Sequence, residues 1–394
     1  MVKPRNFELR MSLIFLSLFI PLGVHVPYFP LWLEAKGFDA GQIGVILAAP
    51  MFLRVVTTPI ITAMADEAKD RATVFTLLVA VTLALSAGYF LPPTYLTVLA
   101  VSLVLSVAWT PQSPIADSLA LSGVRRFGSN YARMRIWGSG AFLLANLGGG
   151  YILAWTGADA VPAIITLSLC FTLAVSLVAP RMGKPRRASP LSAVELQNAG
   201  PRLMNRFFVM TVAGAGVINA SHALMNSFGS IYWKSVGVPD TTIGVLWAWA
   251  VVAEVGIFVT FTRLFSGFSA QRILALAGLG AMLRWFVFPL VWPLGLGVTG
   301  FFAAQSLHAL STALVLIGVQ KLIAEAVPEE RTGAAQGIAF FANGLAFAGA
   351  TLLSGPLYEG LGVHGFYVMV AVAAAGFSIV ALAPRSAPEA GLRR

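Results

Sequence analysis

Apolar runs of about twenty residues recur from one end of this chain to the other, separated by short polar connections. An α-helix needs about 20 residues to cross a hydrocarbon layer of roughly 30 Å, so runs of this length are matched to lipid. A water-soluble core has no room for them: the sequence is 58% hydrophobic and 11% charged, against roughly 25% charged residues in an average soluble domain. A transmembrane β-barrel is excluded too, because its strands are segments of about 10 residues with alternating polarity, and these runs are continuous. The chain is expected to be an all-α, multi-pass membrane protein.

Breaks at Pro, Gly and charged residues divide the runs into twelve candidate helices. The first half contains Leu9 to Leu33, Gln42 to Met64, Thr73 to Leu91, Tyr95 to Leu121, Ala132 to Trp155 and Val161 to Ala179. The second contains Arg206 to Trp233, Thr241 to Thr262, Arg272 to Leu290, Leu294 to Lys321, Thr332 to Leu357 and Val363 to Ala383. A polar stretch separates them, so the expected domains are a six-helix bundle over 1–180, a cytoplasmic linker over 181–205 and a second six-helix bundle over 206–394. The basic residues test this count, since Lys and Arg collect on the cytoplasmic side. Of the 26 in the chain, Lys36 and Lys234 fall on one face, Arg54 and Arg284 lie mid-span, and all the rest fall on the other face. Adding or dropping one helix would scramble that partition. Both termini are therefore expected in the cytoplasm, with the protein in the inner membrane of a bacterium.

A net charge of +10 would point to nucleic acid in a soluble protein; here it is read as the topogenic excess of Lys and Arg outside the bilayer, and no nucleic-acid partner is expected. The first apolar run leads straight into further spans without a small-residue cleavage site, so it reads as a retained helix. Cys170 is the only cysteine, which leaves no intrachain disulfide or thiolate cluster. Neither a phosphate-binding GxxxxGK[ST] loop nor an HExxH or EF-hand spacing is present. The expectation is a chain that is not an enzyme, holds no metal and has no cofactor, with a proton gradient as its driving force.

The halves also repeat. At an offset of 200, KGFDAGQIGVILA from Lys36 lies over VGVPDTTIGVLWA from Val236, matching Gly37 with Gly237, Ile43 with Ile243, Gly44 with Gly244 and Ala48 with Ala248. Shared loop-to-helix grammar would give some of this, but the equal helix count on each side of the linker supports two pseudo-symmetric bundles. Parallel repeats of this kind place a substrate site near the midplane, with access alternating as one bundle rocks on the other. Glycines offer surfaces for such movement or for plain packing: Gly138, Gly140 and Gly148 to Gly150 in the fifth helix, Gly333, Gly337, Gly344 and Gly349 in the eleventh.

An ionisable side chain at mid-membrane costs about 2.5 to 3.5 kcal/mol on insertion scales, so Arg54, Glu254 and Arg284 each require a reason. At the repeat offset Arg54 and Glu254 are equivalent positions, an opposite pair about one pseudo-axis; a structural salt bridge is the competing reading. Three polar stripes at i, i+3 and i+7 accompany them: His25, Tyr28 and Trp32; Asn219, His222 and Asn226; Gln305, His308 and Thr312. Trp247 shares a helix face with Glu254, giving an aromatic plate beside a carboxyl group that can load and release a proton. Asp117 and Arg135, toward the cytoplasmic ends of the fourth and fifth helices, read as a gate latch or a static ion pair.

Read together, these segments resemble the major facilitator superfamily over nearly the full length, and look most like bacterial phenylpropionate permeases of its lactose-permease-like branch. The resemblance rests on YFPLWLEAKGF from Tyr28, ADEAKDR from Ala65, YARMRIWGSGAF from Tyr131, SHALMNSFGSIYW from Ser221, IGVLWAWAVVAE from Ile243, LRW from Leu283, QSLHA from Gln305 and SGPLYEGLG from Ser354. It implies that ADEAKDR is the superfamily's gating loop, with Asp66 and Arg71 in its acidic and basic positions, although Thr62 stands where the motif has glycine. Glu254, Arg284 and His308 are similar in placement to the proton-coupling groups of lactose permease; Ser311 and Thr312 follow His308 where that family has an acidic residue. The function implied is proton symport of a small aromatic carboxylate by a monomer. Arg54 or Arg284 would meet the carboxylate, Tyr28 and Trp247 would flank the ring, His222 and Asn226 would line the site, and Glu254 with His222 or His308 would handle the proton. A sugar or nucleoside symporter, an exporter of amphiphiles and a non-transporting membrane sensor stand as alternatives.

Overall fold

The computed structural model describes residues 3–183, 205–327 and 332–384. The linker over 184–204, and with it Lys184, Arg186, Arg187 and Arg202, lies outside the described residues, as do Arg331, Arg385, Arg393 and Arg394. Among the described residues there is no strand, and twelve long helices follow one another. They are α1 (Phe7–Ala35), α2 (Ala40–Glu67), α3 (Arg71–Phe90), α4 (Tyr95–Phe127), α5 (Tyr131–Thr156) and α6 (Ala158–Ser176), then α7 (Arg206–Ser235), α8 (Asp240–Phe265), α9 (Ala270–Leu290), α10 (Gly297–Ala326), α11 (Thr332–Leu361) and α12 (Gly365–Leu382). The last two form one apolar stretch of 48 residues, Ala335–Leu382, which would run about 70 Å as a straight helix. It turns instead at Gly362–His364, where Gly362 takes φ +54°.

Short polar residues begin the helices, because the first turn leaves backbone N–H groups without partners, a debt lipid cannot settle. Asp39 accepts from the Gln42 backbone N–H at 2.7 Å while the Gln42 side chain accepts from the Asp39 N–H at 3.2 Å, a reciprocal cap that opens α2. Asp70, Thr94, Asn130, Asn205 and Ser269 cap α3, α4, α5, α7 and α9 in the one-sided form.

The internal repeat is visible in the backbone. Gly37 and Gly237 take φ +84° and +85°, a left-handed conformation open to glycine at little cost. The same three hydrogen bonds close both turns: Lys36, Gly37 and Phe38 donate to Trp32, Glu34 and Leu33, and Val236, Gly237 and Val238 donate to Tyr232, Lys234 and Trp233. Each partner lies 200 positions beyond its counterpart.

Two compact units are distinguished. The first holds α1–α6 together with residues 224–251 and 351–365. Its core joins Phe7, Met11, Phe15, Phe75, Ile115 and Met134. Within this unit helices meet backbone to backbone at two crossings. A Cβ on Gly44 of α2 would lie 3.1 Å from the Gly355 Cα of α11, and one on Gly150 of α5 would lie 2.5 Å from the Asp240 carbonyl oxygen and 3.3 Å from the Gly244 Cα of α8. Gly44 and Gly244 are the pair matched by the repeat, so the crossings are pseudo-symmetric copies. Of the glycines singled out in the sequence, Gly149 and Gly150 pack here and Gly138 packs on Phe19 and Arg135, whereas Gly140, Gly148, Gly337 and Gly349 have open space beside them. The second unit holds residues 205–223, 252–327, 332–350 and 366–384 among those described. Phe208, Val212, Ala270, Leu322 and Ile323 form an apolar cluster in it.

Three helices are interrupted within their spans. α4 breaks between Trp109 and Gln112, where Pro111 has no N–H to give. α7 breaks between Ala220 and Ala223, where the Ser221 hydroxyl donates to the Ile218 carbonyl at 2.6 Å and competes with the backbone ladder. α10 widens to a π turn over Ala309–Ala313, a feature often found at functional sites. Each interruption lies next to a polar centre described below.

Candidate functional site

In the first unit α1, α2, α3 and α4 surround a cavity of about 300 Å³. Its walls are aromatic and aliphatic, Phe19, Phe29, Tyr89 and Trp109 among them. His25 stacks on Phe29 at 4.5 Å and 16° and meets Trp109 edge-on at 5.3 Å. Tyr89 donates or accepts at Ser102 Oγ, 3.0 Å away. Arg54 enters from α2, and no acidic side chain lines the space. Its guanidinium makes no hydrogen bond or ion pair among the described residues. A cation in an apolar wall without a counter-charge is costly, and an anion beside it would offset that cost. The Arg135 guanidinium carbon lies over the Phe19 ring, 4.1 Å from its centroid, with the Phe15 centroid at 5.5 Å.

The second unit holds a different centre. Arg284 on α9 is 1% exposed; its Nη2 donates to Gln305 Oε1 and its Nη1 lies 2.8 Å from His308 Nδ1. The guanidinium rests over the Trp285 ring at 4.4 Å. Guanidinium is only a donor, so His308 Nδ1 accepts and the ring hydrogen sits on Nε2. That Nε2 faces Glu254 Oε2 of α8 at 3.8 Å. His222 lies beside this chain, its centroid 5.9 Å from that of His308. His222 Nδ1 donates to the Asn219 carbonyl at 3.1 Å, and Nε2 accepts from Ser311 Oγ at 2.9 Å. Carboxyl, imidazole and guanidinium thus stand in series, an arrangement that can hold a proton at one end and sense it at the other.

The sequence-predicted residues therefore separate. Glu254, His308, Arg284 and His222 come together in the second unit, with Gln305 and Thr312 of the α10 stripe. Arg54 and His25 come together in the first. Tyr28 is fully buried away from the cavity: its hydroxyl donates to the Asn146 carbonyl at 2.5 Å and sits against Gly149, Gly150 and Gly244. Trp247 is likewise occupied, donating from Nε1 to Ser230 Oγ at 2.9 Å and packing edge-on against Trp233. Asn226 is half-buried on α7. Arg71 Nε lies 2.7 Å from Asp66 Oδ1, without hydrogen-bond alignment, and Arg71 also donates to Ser122 at 3.2 Å. Asp117 accepts from the Tyr131 hydroxyl at 2.8 Å, while Arg135 lies on Phe19 and Phe15. Tyr89 and Trp109, which complete the cavity, carried no sequence signal beyond aromaticity; the Trp109-Thr110-Pro111 step was the one hint of a break.

Comparison with known proteins bears on what these centres serve. A sequence profile of the MFS_1 like family matches residues 8–369. The chain is 24% identical over 363 residues to the "Probable 3-phenylpropionic acid transporter" of Escherichia coli (strain K12), covering 92% of this chain and 94% of that one. It is 27% identical over 288 residues to the "Maltose permease" of Geobacillus stearothermophilus, covering 71% of each. Among solved structures, the nucleoside transporter NupG superposes with TM-score 0.78 at 14% identity, over 95% of this chain and 98% of that one. The D-xylose-proton symporter does so with TM-score 0.70 at 11% identity, over 97% and 98%. With twelve helices in this order, a fold shared with those carriers and a family match over nearly the whole length, the chain belongs to the MFS_1 like family of the major facilitator superfamily, and is a membrane transporter and not an enzyme.

Proposed function

We propose that the protein is a proton-coupled importer of a small aromatic carboxylate, of the phenylpropionate kind. The observation that carries this reading is the cavity of about 300 Å³, walled by aromatic rings and holding one unpaired guanidinium and no acid. Its volume is at the lower end of the roughly 300 to 1,000 Å³ of small-molecule pockets, a size for a single ring with a short side chain. Arg54, and not Arg284, meets the carboxylate, because Arg284 already donates to Gln305 and His308 inside a closed shell. The relative from Escherichia coli (strain K12), whose name gives 3-phenylpropionic acid as its solute, supports the same class.

Glu254 and His308, with Arg284 and His222 behind them, carry a proton down its gradient, and that gradient drives uptake without a cofactor. The halves 1–180 and 206–394 rock about the linker 181–205 in a monomer, with both termini in the cytoplasm and the protein in a bacterial inner membrane. The Asp66–Arg71 pair and the Asp117–Tyr131–Arg135 group act at the cytoplasmic gate. A proteoliposome assay tests the reading. With an inward proton gradient, wild type accumulates 3-phenylpropionate, and Glu254→Gln loses uphill uptake by at least about 100-fold while keeping exchange of labelled for unlabelled substrate. Undiminished uphill uptake by Glu254→Gln would overturn the coupling scheme.

A sugar or nucleoside symporter is the second reading. It is supported by the similarity to the "Maltose permease" of Geobacillus stearothermophilus and by the fold shared with the nucleoside transporter NupG. Competition separates the two: aromatic acids displace labelled 3-phenylpropionate and neutral sugars and nucleosides do not.

A further inference from the structure

His25 differs from the other histidines of the polar centres. Both ring nitrogens of His222 and Nδ1 of His308 have hydrogen-bond partners, whereas neither ring nitrogen of His25 has one among the described residues. Its ring is held by Phe29 and Trp109 alone and stays half-buried at the edge of the cavity. A histidine kept for packing in lipid would be expected to hold a partner, because an unbonded polar group there costs free energy. Arg54 is within electrostatic reach across the same space.

We propose, on the reading of this cavity as the aromatic-carboxylate site, that His25 takes up a second proton, besides the one that Glu254 and His308 carry, as the substrate carboxylate settles on Arg54, so that loading of solute and of that proton is a single event. With the site free, the bare Arg54 cation opposes a second positive charge nearby. The bound carboxylate offsets Arg54 and gives an imidazolium N–H an acceptor. The ring face of Phe29, stacked on the imidazole at 4.5 Å, offers further stabilisation to a cation there. The other titratable groups lining the cavity are Arg54 from α2 and Tyr89 from α3, whose hydroxyl is engaged with Ser102; α4 contributes only neutral side chains. Solute anion, Arg54 and protonated His25 together carry the same net charge as the empty site with Arg54 charged and His25 neutral, so the proton enters from bulk water with the anion and leaves with it on the other side.

The test is binding of 3-phenylpropionate to the purified full chain in detergent, from about pH 6 to about pH 8.5, a range in which the ligand stays ionised. Isothermal titration calorimetry reports binding, and a pH dye in weak buffer reports proton uptake. Wild type is expected to bind up to about tenfold more tightly per pH unit of acidification and to take up one proton per ligand. His25→Gln is expected to bind more weakly, with an affinity flat across the range and no uptake. A wild-type slope or uptake retained in His25→Gln overturns the proposal. Should that variant fail to fold, ligand binding by wild type without proton uptake overturns it equally. No binding by wild type at any pH would instead sink the carboxylate reading, and this inference with it.

Discussion

Replacing Arg54 by alanine is expected to abolish saturable uptake of 3-phenylpropionate and to weaken its binding at least about 100-fold. A fully desolvated charge pair that loses one partner costs about 3 to 5 kcal/mol, and every factor of ten in affinity is about 1.4 kcal/mol. The loss should not come from misfolding. Arg54 holds no other residue in place, since it makes no hydrogen bond or ion pair among the described residues, and its removal takes an uncompensated cation out of the apolar wall. Thermal stability in detergent is expected to hold or rise. Arg54→Lys is expected to recover part of the affinity, as a point charge without the two-pronged geometry that a carboxylate fits. Arg284→Gln should behave oppositely: Gln305 and His308 lose a donor and Trp285 loses the cation over its ring, so stability and coupling fall. Equilibrium binding and uptake on the same preparations check both. Binding by Arg54→Ala within threefold of wild type would remove Arg54 from the site.

Gly150→Val is expected to lower transport about 100-fold or more while leaving ligand affinity within a few-fold of wild type. A Cβ at Gly150 would stand 2.5 Å from the Asp240 carbonyl oxygen and 2.9 Å from the Tyr28 hydroxyl. Backbone cannot step aside as a side chain can, so the α5–α8 crossing has to spread, and overpacking of this kind costs about 1 to 3 kcal/mol or more. A carrier that passes through this closed arrangement once per cycle pays that energy at each turnover. Gly244 opposite is equally confined, with the Asn146 carbonyl oxygen and the Tyr28 hydroxyl both 2.6 Å from its would-be Cβ, and Gly244→Val should match. Gly256→Ala on the same helix supplies the control, because nothing lies within 4 Å of its position. Proteoliposome flux compared with binding in detergent reads the split; wild-type flux in Gly150→Val would show that the crossing need not close.

Local composition was enough to read the membrane and the helix count, because each depends on residues close together in the chain, and the repeat followed from comparing two such local segments. Apolar run length selects the solvent, basic residues report which connections share a face, and a left-handed glycine announces the turns at Gly37 and Gly237. The mid-span charges Arg54, Glu254 and Arg284 were legible for the same reason, since a charge in an apolar run stands out whatever it touches. Which of them is engaged depends on partners far away in the chain. Gln305 and His308 engage two of the three nitrogens of Arg284 from another helix, while no side chain does so for Arg54 among the described residues. Tyr28 had the chemistry of a ligand-flanking ring, yet its hydroxyl is taken by the Asn146 carbonyl, 118 residues away, and Trp247 is held by Ser230. Hydrogen-bond satisfaction is a property of three-dimensional neighbours, so the sequence could name the polar groups that membrane burial makes expensive, and only the packing of the helices could decide which of them remain open to a solute.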